Sequence, residues 1–196
     1  MIEKKTLRAH YIKLRSLHAI NNPEFLQKIS ENFFNILENY PKKSIIAGYL
    51  AMPGELNLLP LLQKAEQHGY RIAMPVVISK HSPLSFCLCG ANPTITISKY
   101  YKNLPEPIDA YPYVMPDIVI TPMLACDRQG TRLGYGGGLY DRTLASLRGK
   151  SSSLVVIGIC NHNFLVNSEL PHNLYDQFLD IIITDKEMIT TRARQL

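Results

Sequence analysis

The sequence predicts an α/β fold, a single domain over residues 1–196 with a mostly parallel central sheet flanked by helices. Three observations predict it. Short continuous apolar runs recur along the chain: SIIAGYL at 44–50, RIAMPVV at 71–77, DIVITP at 117–122, LVVIGIC at 154–160 and LDIIIT at 179–184. They lack the polar alternation of a sheet with one wet face, so both faces are expected to be covered. Segments with helical spacing separate several of them. With 196 residues, 46% apolar and 19% charged, the chain can bury a full core without staples and is too apolar for disorder.

Leu7, Tyr11, Leu14 and His18 recur at i, i+4, i+7 and i+11, the spacing of a first helix, with Lys4, Arg8 and Arg15 on a neighbouring stripe. Asn21-Asn22-Pro23 breaks it. A second helix is expected from Pro23 to about Asn39, with Phe25, Ile29, Phe33, Ile36 and Leu37 inward and Pro41 ending it. The 44–50 run is a strand, and Met52-Pro53-Gly54-Glu55 a turn after it. Leu58 to His68 reads as a helix closed by Gly69, and 71–77 as a strand. Leu84–Cys89 and Thr94–Ile97 are expected to form a β-hairpin around Gly90-Ala91-Asn92-Pro93. Tyr100 to Pro116, rich in Tyr and Pro, reads as a long ordered loop rather than an RNA-stacking surface. Strand 117–122 leads to a Gly-rich stretch, 130–138, and a helix over 139–147. Strands 154–160 and 179–184 follow, and a short helix is expected over 185–189.

No apolar run approaches the 18 residues of a membrane span. The first residues run into charged sequence without an apolar signal region, so a cytoplasmic protein with no membrane partner is expected. Lys and Arg outnumber Asp and Glu by 21 to 16, a net charge of +5, which leans toward an anionic partner. Cys87, Cys89, Cys126 and Cys160 have no zinc-type spacing and are expected to be free thiols filling the core. The six histidines show no metal spacing either.

The chemistry concentrates in Pro122 to Arg142, PMLACDRQGTRLGYGGGLYDR. Three consecutive glycines before a helix start let backbone N–H groups approach a phosphate closely, and the helix N-terminus adds partial positive charge. Arg132 supplies a bidentate fork. Asp141 brings a carboxylate beside that loop, which repels a nucleotide unless a cation lies between; magnesium is the natural one. The bland alternative is a flexible turn with Asp141 in an exposed ion pair. The segment is no Walker loop and only partly a dinucleotide fingerprint.

The string Arg132-Leu133-Gly134-Tyr135-Gly136-Gly137-Gly138-Leu139-Tyr140-Asp141-Arg142 closely resembles the signature of the 5-formyltetrahydrofolate cyclo-ligase family. Lys4-Lys5-Thr6-Leu7-Arg8, the stretch 49–55, Leu104-Pro105-Glu106-Pro107, the stretch 117–130 and the strand 179–184 resemble further family segments in the same order. The resemblance implies a Rossmann-like three-layer sandwich and a magnesium-dependent ligase that uses ATP as co-substrate. Such a ligase converts 5-formyltetrahydrofolate to 5,10-methenyltetrahydrofolate, releasing ADP and phosphate. It implies that Lys4, Lys5, Thr6, Leu7 and Arg8, with Arg132, Leu133, Gly134, Tyr135, Gly136, Gly137, Gly138, Leu139 and Tyr140, contact ATP. It implies that Arg8, Leu50, Glu55 and residues Tyr135 to Leu139 contact folate, and that Asp141 and Asp180 hold Mg²⁺. Arg132 and Tyr135 are the residues expected to act on the reacting groups. Leu139 stands where many members carry an aromatic residue, and Tyr175 precedes Asp176 where a His is usual.

That chemistry is consistent with the residues. A formyl group on nitrogen is a poor electrophile; phosphorylating its oxygen creates a leaving group, and a neighbouring amine closes the ring intramolecularly. The parts required are a cradle, cations and a metal, with no covalent nucleophile. Glu55 is expected either to accept hydrogen bonds from a pterin-like ring or to cap the helix beginning near Asn57. The expected partners are small molecules only, acting on a monomer without nucleic acid. The readings from other classes are a non-catalytic basic nucleotide- or RNA-binding module and, by fold analogy alone, a sugar-phosphate isomerase or CoA-transferase-like enzyme.

Overall fold

The structure, a computed structural model, describes residues 3–17, 23–108 and 110–191. Helix α1 (Lys4–Leu17) and helix α2 (Pro23–Leu37) precede strand β1 (Ile45–Ala47), helix α3 (Leu59–Gln67) and strand β2 (Arg71–Val76). Then come β3 (Ser85–Leu88), β4 (Ile95–Ile97), β5 (Pro105–Pro107), β6 (Tyr113–Val114), β7 (Ile118–Thr121), β8 (Ala125–Asp127) and β9 (Arg132–Leu133). Helix α4 (Leu139–Arg148), β10 (Val155–Ile159), a 3₁₀ turn (His162–Phe164), β11 (Leu165–Val166), β12 (Ile181–Ile183) and β13 (Met188–Thr190) complete the chain.

The main sheet has eight strands in the order β13-β12-β10-β7-β1-β2-β3-β6. Five consecutive strands, β12, β10, β7, β1 and β2, are parallel, and β13, β3 and β6 flank them antiparallel to their neighbours. The five parallel strands are the five apolar runs, adjacent as expected. Alternate residues along each strand face opposite layers. Ile46, Ile72, Ile118, Ile120, Ile157 and Ile183 pack with Phe33, Leu37 and Leu62 of α2 and α3. Ala47, Ala73, Val119, Val156 and Ile182 pack with Tyr11 and Leu14 of α1 and Leu144 of α4. The result is three layers, with helices on both faces of the sheet.

Three local expectations are corrected. The 84–89 and 94–97 segments do not form a hairpin: the outer edge of β3 is taken by β6, with Leu88 N–H donating to the Pro112 carbonyl at 2.8 Å. β4 pairs instead with β5, so the 100–116 stretch is two short strands and their connections rather than one loop. The 185–189 segment is not a helix. Thr184 Oγ1 accepts the N–H groups of Lys186 and Glu187 at 3.2 and 3.0 Å. That turn sends β13 back antiparallel to β12. Position 18 of the first helix lies outside the described residues. The four cysteines are free, and all but the half-buried Cys89 are buried.

Candidate active site

Strands of a parallel sheet deliver their following residues to one edge, and here that edge carries a cavity of about 800 Å³. β1 delivers Tyr49, Leu50 and the 52–55 turn, β2 delivers Val77, and β7 delivers Pro122. After Pro122 the chain makes the small β8–β9 hairpin, in which Cys126 stands opposite Arg132. The glycine loop 134–138 then runs along the mouth into α4. Helix α1 lies across this edge and reaches the loop with its basic stripe.

One end of the cavity is cationic. Arg8 Nε donates to the Gly134 carbonyl at 2.9 Å. Its guanidinium lies so close under Gly136 that a Cβ there would come within 3.0 Å of Cζ. Gly136 has φ +96 and Gly138 has φ +65, backbone that disfavours any side chain. Gly137 has open space where a Cβ would stand. The Arg132 side chain is only 5% exposed. It is paired with Asp141 Oδ1 at 2.6 Å and donates also to the Gln177 carbonyl. Burial pulls its pKa down, against the opposing charges of Asp141 and Asp176. Gln177 N–H donates to the same Asp141 oxygen at 3.1 Å. Asp141 Oδ2 has no protein hydrogen bond among the described residues. Lys4 pairs with Asp176 Oδ2 at 2.5 Å, and Asn173 N–H donates to that oxygen at 2.6 Å.

The other end is acidic and aromatic. Glu55 is buried; Oε2 accepts the Met52 N–H at 2.9 Å, while Oε1 is buried without a hydrogen-bond partner. Burial pushes its pKa up, opposed by the Met52 N–H, the Arg15 charge and the Tyr135 hydroxyl. It does not cap α3: the Leu59 N–H is taken by Asn57 Oδ1 at 3.1 Å. Tyr49, Tyr135 and Tyr140 surround this end, each with its pKa raised chiefly by burial and then by the Glu55 charge.

The cavity brings together Lys4, Arg8, Leu50, Glu55, all of 132–140 and Asp141. Three residues of the first helix stand apart: Lys5 and Thr6 are exposed, and Leu7 packs on the α1–α4 side of the core. Asp180 is also outside, a departure from the expected metal pair. It precedes β12, at the amino end of the sheet, where Oδ2 accepts the Val156 N–H at 2.8 Å and Arg148 at 3.1 Å. The second carboxylate at the cationic end of the cavity, beside Asp141, is Asp176. Sequence reasoning missed it, together with Tyr49, Tyr101, Lys102 and Asn173. Asp176 sits in an aperiodic turn directly before Gln177, whose N–H and carbonyl serve Asp141 and Arg132. No group of three or more His, Cys, Asp or Glu side chains that could hold a metal occurs among the described residues.

Fold and site together define an α/β enzyme with one cleft at the carboxyl edge of its sheet, cationic and phosphate-suited at one end and carboxylate-lined at the other. The profile of the 5-formyltetrahydrofolate cyclo-ligase family matches residues 1–185. A 5-formyltetrahydrofolate cyclo-ligase of Haemophilus influenzae is 30% identical over 156 residues, covering 76% of this chain and 81% of that one. Its counterpart in Escherichia coli strain K12 is 27% identical over 182 residues, 89% of this chain and 98% of that one. The fold matches a 5,10-methenyltetrahydrofolate synthetase of Aquifex aeolicus with a TM-score of 0.70 at 24% identity, over 97% of this chain and 94% of that one. The chain belongs to the 5-formyltetrahydrofolate cyclo-ligase family and is an enzyme, a ligase of folate one-carbon metabolism.

Proposed function

We propose that this enzyme converts 5-formyltetrahydrofolate to 5,10-methenyltetrahydrofolate at the expense of ATP. The carrying observation is that Arg8, on the Gly134 carbonyl, and Arg132, paired with Asp141, line one end of a cleft whose other end holds the Glu55 carboxylate with one oxygen unpaired. That pairing suits a phosphate chain meeting a ring with N–H donors. The formyl oxygen attacks the γ-phosphorus and ADP leaves. N10 then attacks the formyl carbon, the C–O bond breaks with loss of phosphate, and the N10 proton is released.

Arg8, Arg132 and the N–H groups of the glycine loop bind the phosphates and neutralise developing charge. Glu55 fixes the ring, and Tyr135, which lines the same cleft, offers a hydroxyl donor to the formyl group. Leu139 and Tyr140 wall the cleft. The donor set fits magnesium: Asp141 through Oδ2, with Asp176 beside it, supplies the one or two carboxylates that the ion takes besides phosphate oxygens. Magnesium would screen the phosphates from each other and from these carboxylates.

The reading is tested by absorbance at the methenyl product's band. Product should appear only when protein, 5-formyltetrahydrofolate, ATP and magnesium are all present, and formyl ¹⁸O should emerge in inorganic phosphate. Product without ATP, or label left in water, would overturn it. Membership of an enzyme family removes the non-catalytic nucleotide- or RNA-binding alternative.

A further inference from the structure

Lys4 and Arg8 serve the phosphate end of the cleft, but the third basic residue of their helix goes elsewhere. Arg15 lies seven residues beyond Arg8, about 10 Å along the axis. Its Nη2 donates to the Met123 carbonyl at 2.7 Å and its Nη1 to the Tyr135 hydroxyl at 3.0 Å. Its Nε is buried without a partner. The side chain thus crosses from α1 to two segments more than a hundred residues away, and leaves a buried donor unpaired in doing so.

We infer that Arg15 is a positioning residue for the folate end of the cleft: it fixes the Tyr135 hydroxyl and supplies the cation that balances the buried Glu55 carboxylate. This rests on the function proposed above for what the cleft binds. The Met123 carbonyl anchors one arm of the guanidinium fork, so the other arm is aimed. The Tyr135 hydroxyl is held as acceptor from Arg15, which leaves its own proton to turn away from α1, toward the Glu55 side of the cleft.

The electrostatics agree. The groups acting on Glu55 are the Met52 N–H, Arg15 and the Tyr135 hydroxyl, and Glu55 in turn acts on Tyr49 and Tyr140. Arg15 is the charged one that favours the carboxylate, and it opposes the upward push on Tyr49 and Tyr135 as well. Without it, burial acts on Glu55 with less opposition, and the carboxyl holds its proton to higher pH.

Two variants separate aim from charge. Arg15→Met keeps the apolar stem and removes both. Arg15→Lys keeps the charge but has no fork to reach Met123 and Tyr135 together. Arg15→Met should raise the apparent KM for 5-formyltetrahydrofolate about tenfold or more, the effect of one lost charge-assisted hydrogen bond, with the ATP KM moved much less. The acid limb of its folate KM should shift to higher pH. Arg15→Lys should restore the acid limb but not the KM. Equal changes in both KM values, or an unmoved limb in Arg15→Met, would overturn the inference. The charge half is read without turnover by a ¹³C NMR titration of Glu55 in the ligand-free protein. An upward shift in Arg15→Met is expected, and none would overturn that half even in an enzyme that makes product. A wild type that makes no product overturns the proposed reaction instead.

Discussion

Asp141 Oδ1 already serves two partners, the Gln177 N–H and a guanidinium buried but for 5% of its surface, and its second oxygen is left for another. Asp141→Asn removes a negative ligand and weakens a nearly desolvated pair, a loss of about 2–5 kcal/mol. Turnover at limiting magnesium should fall roughly 30-fold or more, and the melting temperature should fall with it, because Arg132 keeps only the Gln177 carbonyl as a strong acceptor. Wild-type rates at limiting magnesium would remove Asp141 from the metal's ligands. Glu55 makes the opposite prediction for stability. Its folded pKa is raised by burial, so the ionised form is destabilising above the unfolded pKa and that penalty vanishes as pH falls. Glu55→Gln removes the penalty while its amide oxygen still accepts the Met52 N–H. The melting temperature at neutral pH should therefore hold or rise. Folate affinity should fall roughly 5- to 150-fold, since the new NH₂ faces ring donors at a cost of about 1–3 kcal/mol. Affinity in the wild type should also weaken as pH drops through the raised pKa, and this limb should be absent in Glu55→Gln. Calorimetric titration with 5-formyltetrahydrofolate beside a melting curve reads both. Glu55 and Asp141 were legible because each follows a recognisable segment. Asp180 falls outside the cleft because the residue before a parallel strand lies at the sheet's amino edge, and its partners, Val156 N–H and Arg148, come from elements distant in sequence.

At the scale of elements, the glycine loop divides into positions that shape the backbone and one that does not. Gly136 and Gly138 have positive φ, and a Cβ on Gly138 would come within 2.8 Å of Arg142 Nη1. Gly137 is unstrained and meets nothing within 4 Å. Gly137→Ala should therefore leave the melting temperature unchanged and raise the ATP KM more than the folate KM, because its methyl group stands only in the path of a ligand. Gly138→Ala should lower the melting temperature and disturb both. Equal effects on the two KM values in Gly137→Ala would make this glycine a spacer. The parallel strands were legible because five apolar runs have no other way to be buried on both faces. The pairing of β4 with β5 was not, since three residues carry little register information and β3's free edge was taken by a strand hidden in a Tyr- and Pro-rich stretch. The return of β13 depended on one threonine hydroxyl accepting two turn N–H groups, a contact that periodicity does not report.

The whole molecule joins its two substrate ends through one helix. Among the described side chains of α1, Leu7, Tyr11 and Leu14 pack on the core, and of these Tyr11 is buried. Three basic side chains of α1 reach toward the cleft: Lys4 to Asp176, Arg8 to Gly134, and Arg15 to Tyr135 and to the Met123 carbonyl beside it. Lys4, Arg8 and Arg132 line one end of the cleft, where a polyphosphate would add anionic partners to those that Asp176 and Asp141 already supply. A ligand at a hundred times its dissociation constant stabilises the bound state by about 2.7 kcal/mol, and that stabilisation belongs to whatever must be in place for binding. If α1 must be docked, MgATP should slow amide exchange along α1 by up to roughly a hundredfold, while α2, packed by Phe25, Ile29, Phe33 and Leu37 on the far face, changes little. Lys4→Ala and Arg8→Ala should each remove part of that protection at saturating MgATP. Equal slowing in α1 and α2 would mean that ATP stabilises the fold as one unit, and no slowing in α1 would mean that the helix is docked by its apolar stripe alone.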